Sequence, residues 1–262
     1  MKIGDPAEFF GQLDKEDMIK ITNRFGHIGR FLKPGDNFRF TCDKTGQCCK
    51  DRLDNPIVLS TYDIARLRQR LKITTSTFLK RHIFITFGEE SQLPIAILKF
   101  EETKDYHNKC PFLRSYGCKV YEDRPLRCRL YPVGRAVGIG DVSYFFLMDT
   151  PAYCGLGKGK VYTLEEWLVK CQIEPYLLWS DRFFEPIFKM DHVKYRESDP
   201  ALKLALGMVM YDFDGLIAKL VKSSGIKRPE NDEQVLTIAL GAFKMVMGNI
   251  TNGKYAPKNK EM

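Results

Sequence analysis

With 262 residues, 44% hydrophobic and 28% charged, the chain has ample sequence for a buried core and the make-up of an ordinary soluble globular protein, as one large domain or two small ones. Acidic residues stand within Met1–Glu8 where a signal peptide needs an apolar run, and no stretch approaches roughly 18 uninterrupted apolar residues, so export and a membrane span are both disfavoured. The 41 basic and 33 acidic residues leave a net charge of +8, and the eight cysteines are expected to be reduced thiols of a cytoplasmic protein, where metal ligation is favoured over disulfides.

Residues 1–35 mix polar and apolar positions and end in Lys33-Pro34-Gly35-Asp36, a turn signal. Phe38-Arg39-Phe40-Thr41 alternates as a short strand leading to the first cysteines, and Pro56-Ile57-Val58-Leu59 reads as a second extended run. Ser60 or Thr61 caps a helix whose apolar face holds Ile64, Leu67 and Leu71. Thr74 to Ser76 offers another cap, with Phe78, Leu79 and Ile83 following. Residues 93–100 read as a strand delivering the chain to Cys110, and residues 142–148 as another leading to Cys154. Thr163-Leu164-Glu165-Glu166 is a capping box opening a helix through Trp167 and Cys171. From about residue 180 the pattern becomes helical. Leu202, Leu206, Val209, Phe213, Leu216 and Leu220 recur at intervals of three and four, and Val235, Leu236, Leu240, Phe243 and Met247 do so in a further helix; both stripes read as core. The tail from Thr251 is polar and expected to fray. The fold class expected is α+β: a small, loop-rich cysteine core with short strands, plus a helical C-terminal region. Residues 1–35 form an N-terminal segment, 36–175 the cysteine domain, 176–250 the helical region and 251–262 the tail.

Seven of the eight cysteines fall between Phe38 and Cys154, in short loops where thiolates can converge on a metal. Cys42 is followed after five residues by Cys48-Cys49, whose side chains, being adjacent, are expected to diverge; one could ligate while the other packs, or one could bridge two metals. A vicinal disulfide would need a strained ring. Cys110, Cys118 and Cys128 are separated by seven and nine residues, with Pro111 and Gly117 supplying turns and Arg124-Pro125 a rigid approach to Cys128. Cys171 reads as a core residue on its helix. His107, three residues before Cys110, reads as a solvated loop histidine, and His27, His82 and His192 have no informative neighbours. The Gly155-Leu156-Gly157-Lys158-Gly159 stretch lacks the spacing of a phosphate loop and reads as a flexible turn after Cys154. From Lys109 to Arg135 there are seven Lys/Arg and two acids. That excess suits the roughly two net negative charges of a four-thiolate zinc or an oxidised four-iron cluster better than it suits nucleic acid, for which no regular aromatic stripe is present.

These motifs resemble the CxxCxxCC family of zinc- or iron-chelating cysteine-cluster proteins over roughly Leu32 to Trp167. The likeness rests on Phe38-Arg-Phe-Thr-Cys42, Gly46-Gln-Cys48-Cys49, Cys110-Pro-Phe-Leu, Cys118-Lys-Val-Tyr-Glu-Asp-Arg-Pro and Cys128-Arg-Leu-Tyr-Pro, with Asp63-Ile-Ala-Arg-Leu and the segment from Cys154 also fitting. The family's second cysteine corresponds here to Thr45, which is no thiolate replacement. Flagellin lysine methylases have a similar cysteine region, which implies iron–sulfur chemistry among relatives. The expected ligands are Cys42, Cys48, Cys49, Cys110, Cys118, Cys128 and Cys154. The expected cofactor is an iron–sulfur cluster, four-iron favoured, with zinc as the alternative. The expected role is a redox or enzyme-supporting one, with a partner docking on the C-terminal helices and no nucleic acid. The alternatives are a structural zinc protein and a methyltransferase-like enzyme, although no nucleotide or S-adenosylmethionine motif stands out.

Overall fold

A computed structural model of the chain describes residues 2–5, 28–42, 44, 46–50, 56–89, 91–105, 108–137, 142–148 and 155–252. Helices and short, mostly antiparallel strands make it α+β, as the sequence pattern predicts. The chain divides into two compact units that interleave along the sequence. Unit 1 comprises Met1–Cys49, Ser115–Gly117 and Leu126–Leu177, and unit 2 comprises Lys50–Arg114, Cys118–Pro125 and Leu178–Met262.

In unit 1, strand β10 (Val142–Met148) pairs antiparallel with β9 (Val133–Val137) and with β2 (Ile28–Leu32), and parallel with β1 (Lys2–Ile3). Its run Tyr144, Phe145, Phe146 is buried on both faces, as a continuous apolar strand requires. Gly134 of β9 makes this possible, because a Cβ there would stand 2.3 Å from the Phe146 ring. A second ribbon pairs β3 (Asn37–Phe40) with β11 (Lys160–Thr163), in register from Phe40 opposite Lys160 to Asn37 opposite Thr163. The Lys33–Asp36 turn forms as expected, with Gly35 at φ 82° and the Asp36 amide donating to the Lys33 carbonyl at 3.0 Å.

A short helix, α3 (Leu126–Leu130), precedes β9, and Thr163 with Glu166 closes the capping box of α4 (Leu164–Lys170). That box aims Trp167 into the core, where Phe38, Phe40 and Tyr162 meet its ring edge-on at 5.1–5.6 Å and its indole N–H donates to the Leu130 carbonyl at 2.8 Å. Leu32, Phe145, Leu164, Leu168 and Ile173 complete this core.

Unit 2 holds the antiparallel order β4 (Val58–Leu59), β6 (Pro94–Leu98), β5 (Ile83–Phe87). Two helices lead into it: α1 (Thr61–Leu71), capped by Ser60, and α2 (Thr75–His82), capped by Thr74. Its C-terminal helices are α5 (Glu174–Phe188, which begins in unit 1), α6 (His192–Glu197), α7 (Pro200–Tyr211), α8 (Phe213–Ser224) and α9 (Asp232–Thr251).

The stripe from Leu202 to Leu220 is two helices, not one. Asp212 ends α7 and caps α8; of the stripe, Leu206 and Phe213 are fully buried and Leu202, Val209, Leu216 and Leu220 half-buried, while Met210, Tyr211 and Ile217 are buried beside them. The α9 stripe is buried as read at Val235, Leu236, Phe243 and Met247. By length and composition α9 is apolar enough to cross a membrane, yet its Lys244 pairs with Glu185 at 3.2 Å on the exposed side. The polar tail, apart from Thr251 and Asn252, lies outside the described residues.

Candidate metal centre

The loop carrying Cys42 leaves β3 at a point pinned by the glycine-rich stretch. Thr41 donates its amide to the Gly155 carbonyl at 3.2 Å, and a Cβ on Gly155 would lie 1.8 Å from the Thr41 carbonyl oxygen, so only glycine permits that approach. Gly157, at φ 83°, donates to the Arg39 carbonyl at 2.8 Å, and the Arg39 guanidinium donates to the Gly159 carbonyl at 3.2 Å. The stretch read as a flexible turn is therefore a hydrogen-bonded clamp on the strand before Cys42. Cys42 itself is exposed. Cys154, His107 and Thr45 lie outside the described residues.

A single 3-10 turn, Gln47–Cys49, sets the adjacent cysteines. Gly46, at φ 73°, starts it, and the Cys49 amide donates to the Gly46 carbonyl at 2.9 Å. The tight turn keeps the two side chains together rather than letting them diverge: Cys48 Sγ and Cys49 Sγ are 3.9 Å apart, both half-buried. Immediately after them, Lys50 forms an antiparallel bridge with Lys109, the residue before Cys110. Cys110 is 9% exposed and its carbonyl accepts from the Leu113 amide at 3.0 Å, closing the Pro111 turn. Strands β7 (Leu113–Arg114) and β8 (Gly117–Cys118) form a hairpin with half-buried Cys118 at its end. Gly117, at φ 110°, would bring a Cβ within 3.9 Å of the Lys44 carbonyl in the Cys42–Cys48 loop. Cys128 sits half-buried on α3.

By unit, Cys42, Cys48, Cys49 and Cys128 belong to unit 1, and Cys110 and Cys118 to unit 2. The seven described cysteines are thiols, none in a disulfide. Among the described residues no three His, Cys, Asp or Glu side chains are gathered closely enough to enclose an ion; Cys48 and Cys49 are the expected ligands whose sulfurs are seen together. The donor set nonetheless suits a thiophilic metal. Two thiolates on a tetrahedral ion at about 2.3 Å lie about 3.8 Å apart, close to the Cys48–Cys49 separation. Cys171 follows α4 as its C-cap rather than lying within it, and is 2% exposed in the apolar core of unit 1.

The basic residues around the second cysteine group are largely structural. Arg114 donates to the Pro111 and Leu113 carbonyls at 2.9 and 2.8 Å, which braces the Cys110 turn. Arg124 donates to the Tyr121 carbonyl at 2.7 Å and stacks over its ring, fixing the approach to Cys128. Arg129, 4% exposed, donates to the Cys171 carbonyl at 3.0 Å and lies over the Tyr176 ring, while Arg135 donates to the Ser143 hydroxyl. The local excess read as charge compensation is thus, at these four arginines, engaged with carbonyls, a hydroxyl and rings.

His82, which has no informative neighbours in sequence, joins this region through packing. Its ring lies between Phe78 and Phe112, at 5.3 and 5.2 Å, so the motif Cys110-Pro-Phe112 packs on it. Burial lowers its pKa from the ordinary value of 6.5, with Arg81, Lys99 and Lys119 adding to the shift against an opposing Glu101. Only the pairing of α2 with the Cys110 loop creates this environment.

Residues 41–155 match the CxxCxxCC family, described as a "Putative zinc- or iron-chelating domain". An uncharacterised protein of Methanocaldococcus jannaschii is 33% identical over 127 residues, covering 47% of this chain and 62% of that protein. The chain therefore spans less than two thirds of that relative's length. No solved structure matches.

Proposed function

We propose that this chain, whose residues 41–155 match a zinc- or iron-chelating domain, binds a metal through the thiolates of Cys42, Cys48, Cys49, Cys110, Cys118, Cys128 and Cys154. The observation that carries the reading is the partition of the cysteines. The described ones within the matched segment (Cys42, Cys48, Cys49, Cys110, Cys118 and Cys128) lie on loops, one-turn elements and strand ends, whereas Cys171, outside it, is sealed in an apolar core. Thiols in short turns braced by backbone hydrogen bonds reach a metal at little entropic cost, and a buried core thiol does not.

The metal is proposed to be an iron–sulfur cluster, because seven thiols exceed the four that one zinc needs, with a redox or enzyme-supporting role for the whole chain. Such a cluster would supply one-electron chemistry, while the chain's own residues hold and shield it. Structural zinc is the second reading, favoured by the Cys48–Cys49 spacing, which matches a single tetrahedral ion.

Anaerobic purification with metal analysis and a visible spectrum tests both. Brown protein with iron and acid-labile sulfide in near-equal amounts supports the cluster. Colourless protein holding stoichiometric zinc after iron-replete anaerobic expression supports the second reading. Protein with neither metal overturns the proposal. Cys118→Ser and Cys128→Ser are expected to abolish stoichiometric metal and Cys171→Ser to retain it; equal loss in all three would show the partition to be wrong.

A further inference from the structure

We infer that Cys48 and Cys49 bind one and the same metal ion as a chelating pair. This rests on the metal-binding reading above and adds to it which sulfurs share an ion. The turn Gln47–Cys49 holds the two sulfurs 3.9 Å apart through the Cys49 amide bond to Gly46 and the left-handed backbone of Gly46. A tetrahedral ion with sulfur at about 2.3 Å asks for about 3.8 Å. The pair therefore meets the ion with almost no rearrangement, and the second thiolate binds without further loss of chain entropy.

The same geometry opposes the competing use of two adjacent thiols. Neighbouring Cα atoms are about 3.8 Å apart across a trans peptide, below the roughly 4.4–6.8 Å spanned by ordinary disulfides. Oxidation would also pull the sulfurs together by nearly 2 Å, to about 2.05 Å. Inserting an ion between them enlarges the ring by one atom and leaves the sulfurs where they are.

The pairing bears on the kind of centre. More than one cysteine thiolate binds the same ion when four cysteines hold one zinc, or when four hold the two irons of a [2Fe–2S] cluster at two per iron; four cysteines on a four-iron cluster give one per iron. A shared ion thus favours zinc or a two-iron cluster over the four-iron form that the number of thiols first suggests.

Cobalt(II) titrated anaerobically into the metal-free full chain tests this, since its thiolate charge-transfer band grows with the number of sulfurs bound. Cys48→Ser and Cys49→Ser should each remove about a quarter of the band per bound cobalt, one of four ligands, and weaken cobalt binding roughly tenfold or more. If either variant keeps the wild-type band and affinity, the pair does not share an ion, although metal binding stands. If the wild-type chain gives no thiolate band, the metal-binding reading itself falls, and this inference with it.

Should a serine variant fail to fold, phenylarsine oxide on the wild-type metal-free chain decides. Its trivalent arsenic keeps its oxidation state, forms two As–S bonds, and releases the arsenic-bound oxygen with both thiol protons as one water. Cleavage after Lys44 and Lys50 gives peptide 45–50, whose only cysteines are Cys48 and Cys49. The expected product is that peptide carrying one phenylarsenic group and no remaining thiol. Arsenic linking Cys48 or Cys49 to a different cysteine peptide overturns the inference.

Discussion

At the residue scale, burial assigns different tasks to side chains that look alike in sequence. Arg129 and Arg135 are both arginines near Cys128, yet each is tied to a separate partner inside unit 1, the Cys171 carbonyl and the Ser143 hydroxyl. His82 shows how a neutral side chain becomes a titrating element of stability. Its folded pKa lies below 6.5, so below pH 6.5 the unfolded chain takes up a proton more readily than the folded one. The stability it contributes is therefore present above pH 6.5 and is lost as pH falls toward the lowered folded value. Thermal melts of metal-free protein between pH 7.5 and pH 5 should show the wild-type melting temperature falling more steeply than that of His82→Phe, which keeps the stacking on Phe78 and Phe112 without titrating. Parallel curves for the two proteins would remove His82 as the cause.

At the element scale, caps and corners decide where helices stop. Asp63, within a stretch that fits the CxxCxxCC pattern, closes a reciprocal cap with Ser60, so one family-like position is explained by starting α1. Asp212 does more. It lies between α7 and α8, is buried, and accepts from the hydroxyls of Thr75 and Ser76 at 2.8 and 2.7 Å and from the Gly215 amide at 3.3 Å. One carboxylate thus caps α8 and ties it to the start of α2. Asp212→Ala leaves these donors without their acceptor and is expected to cost about 3 kcal/mol, from a lost cap and lost charge-assisted hydrogen bonds. Urea unfolding would register this as a lower midpoint at unchanged slope; a change below about 0.5 kcal/mol would show that the donors find other acceptors.

At the scale of the whole molecule, the matched segment contributes to both units, because Cys49 closes the first stretch of unit 1 and Lys50 opens unit 2. Metal bound by this segment would stabilise its loops directly, since the binding free energy becomes folding free energy where the site is otherwise loosely held. Hydrogen exchange before and after chelator treatment should therefore show protection lost first in β3, the Gln47–Cys49 turn and the β7–β8 hairpin, while α6 to α9 keep theirs. Uniform loss along the chain would mean that the metal supports the fold as a whole rather than these loops.

Local chemistry made much of this legible without coordinates. The Ser60 and Thr163 caps, the Gly35 turn, the β10 run and the α9 stripe depend on neighbours within a few residues, and each appears where its residues predict it. The cysteine array was legible as chemistry, through residue type and spacing, and the family match falls on the same segment. Tertiary structure alone decided what depends on partners distant in sequence. Asp212 divides the Leu202–Leu220 stripe because Thr75 and Ser76 come to meet it across 137 and 136 positions of chain. The glycines after Cys154 are fixed by contact with Thr41, His82 gains its apolar surroundings from Phe112, and the arginines near Cys128 find carbonyls and rings beyond their own turn. Periodicity and capping report the short-range balance of hydrogen bonds and burial; the partner that satisfies a buried polar group or covers a ring is chosen only when distant segments pack.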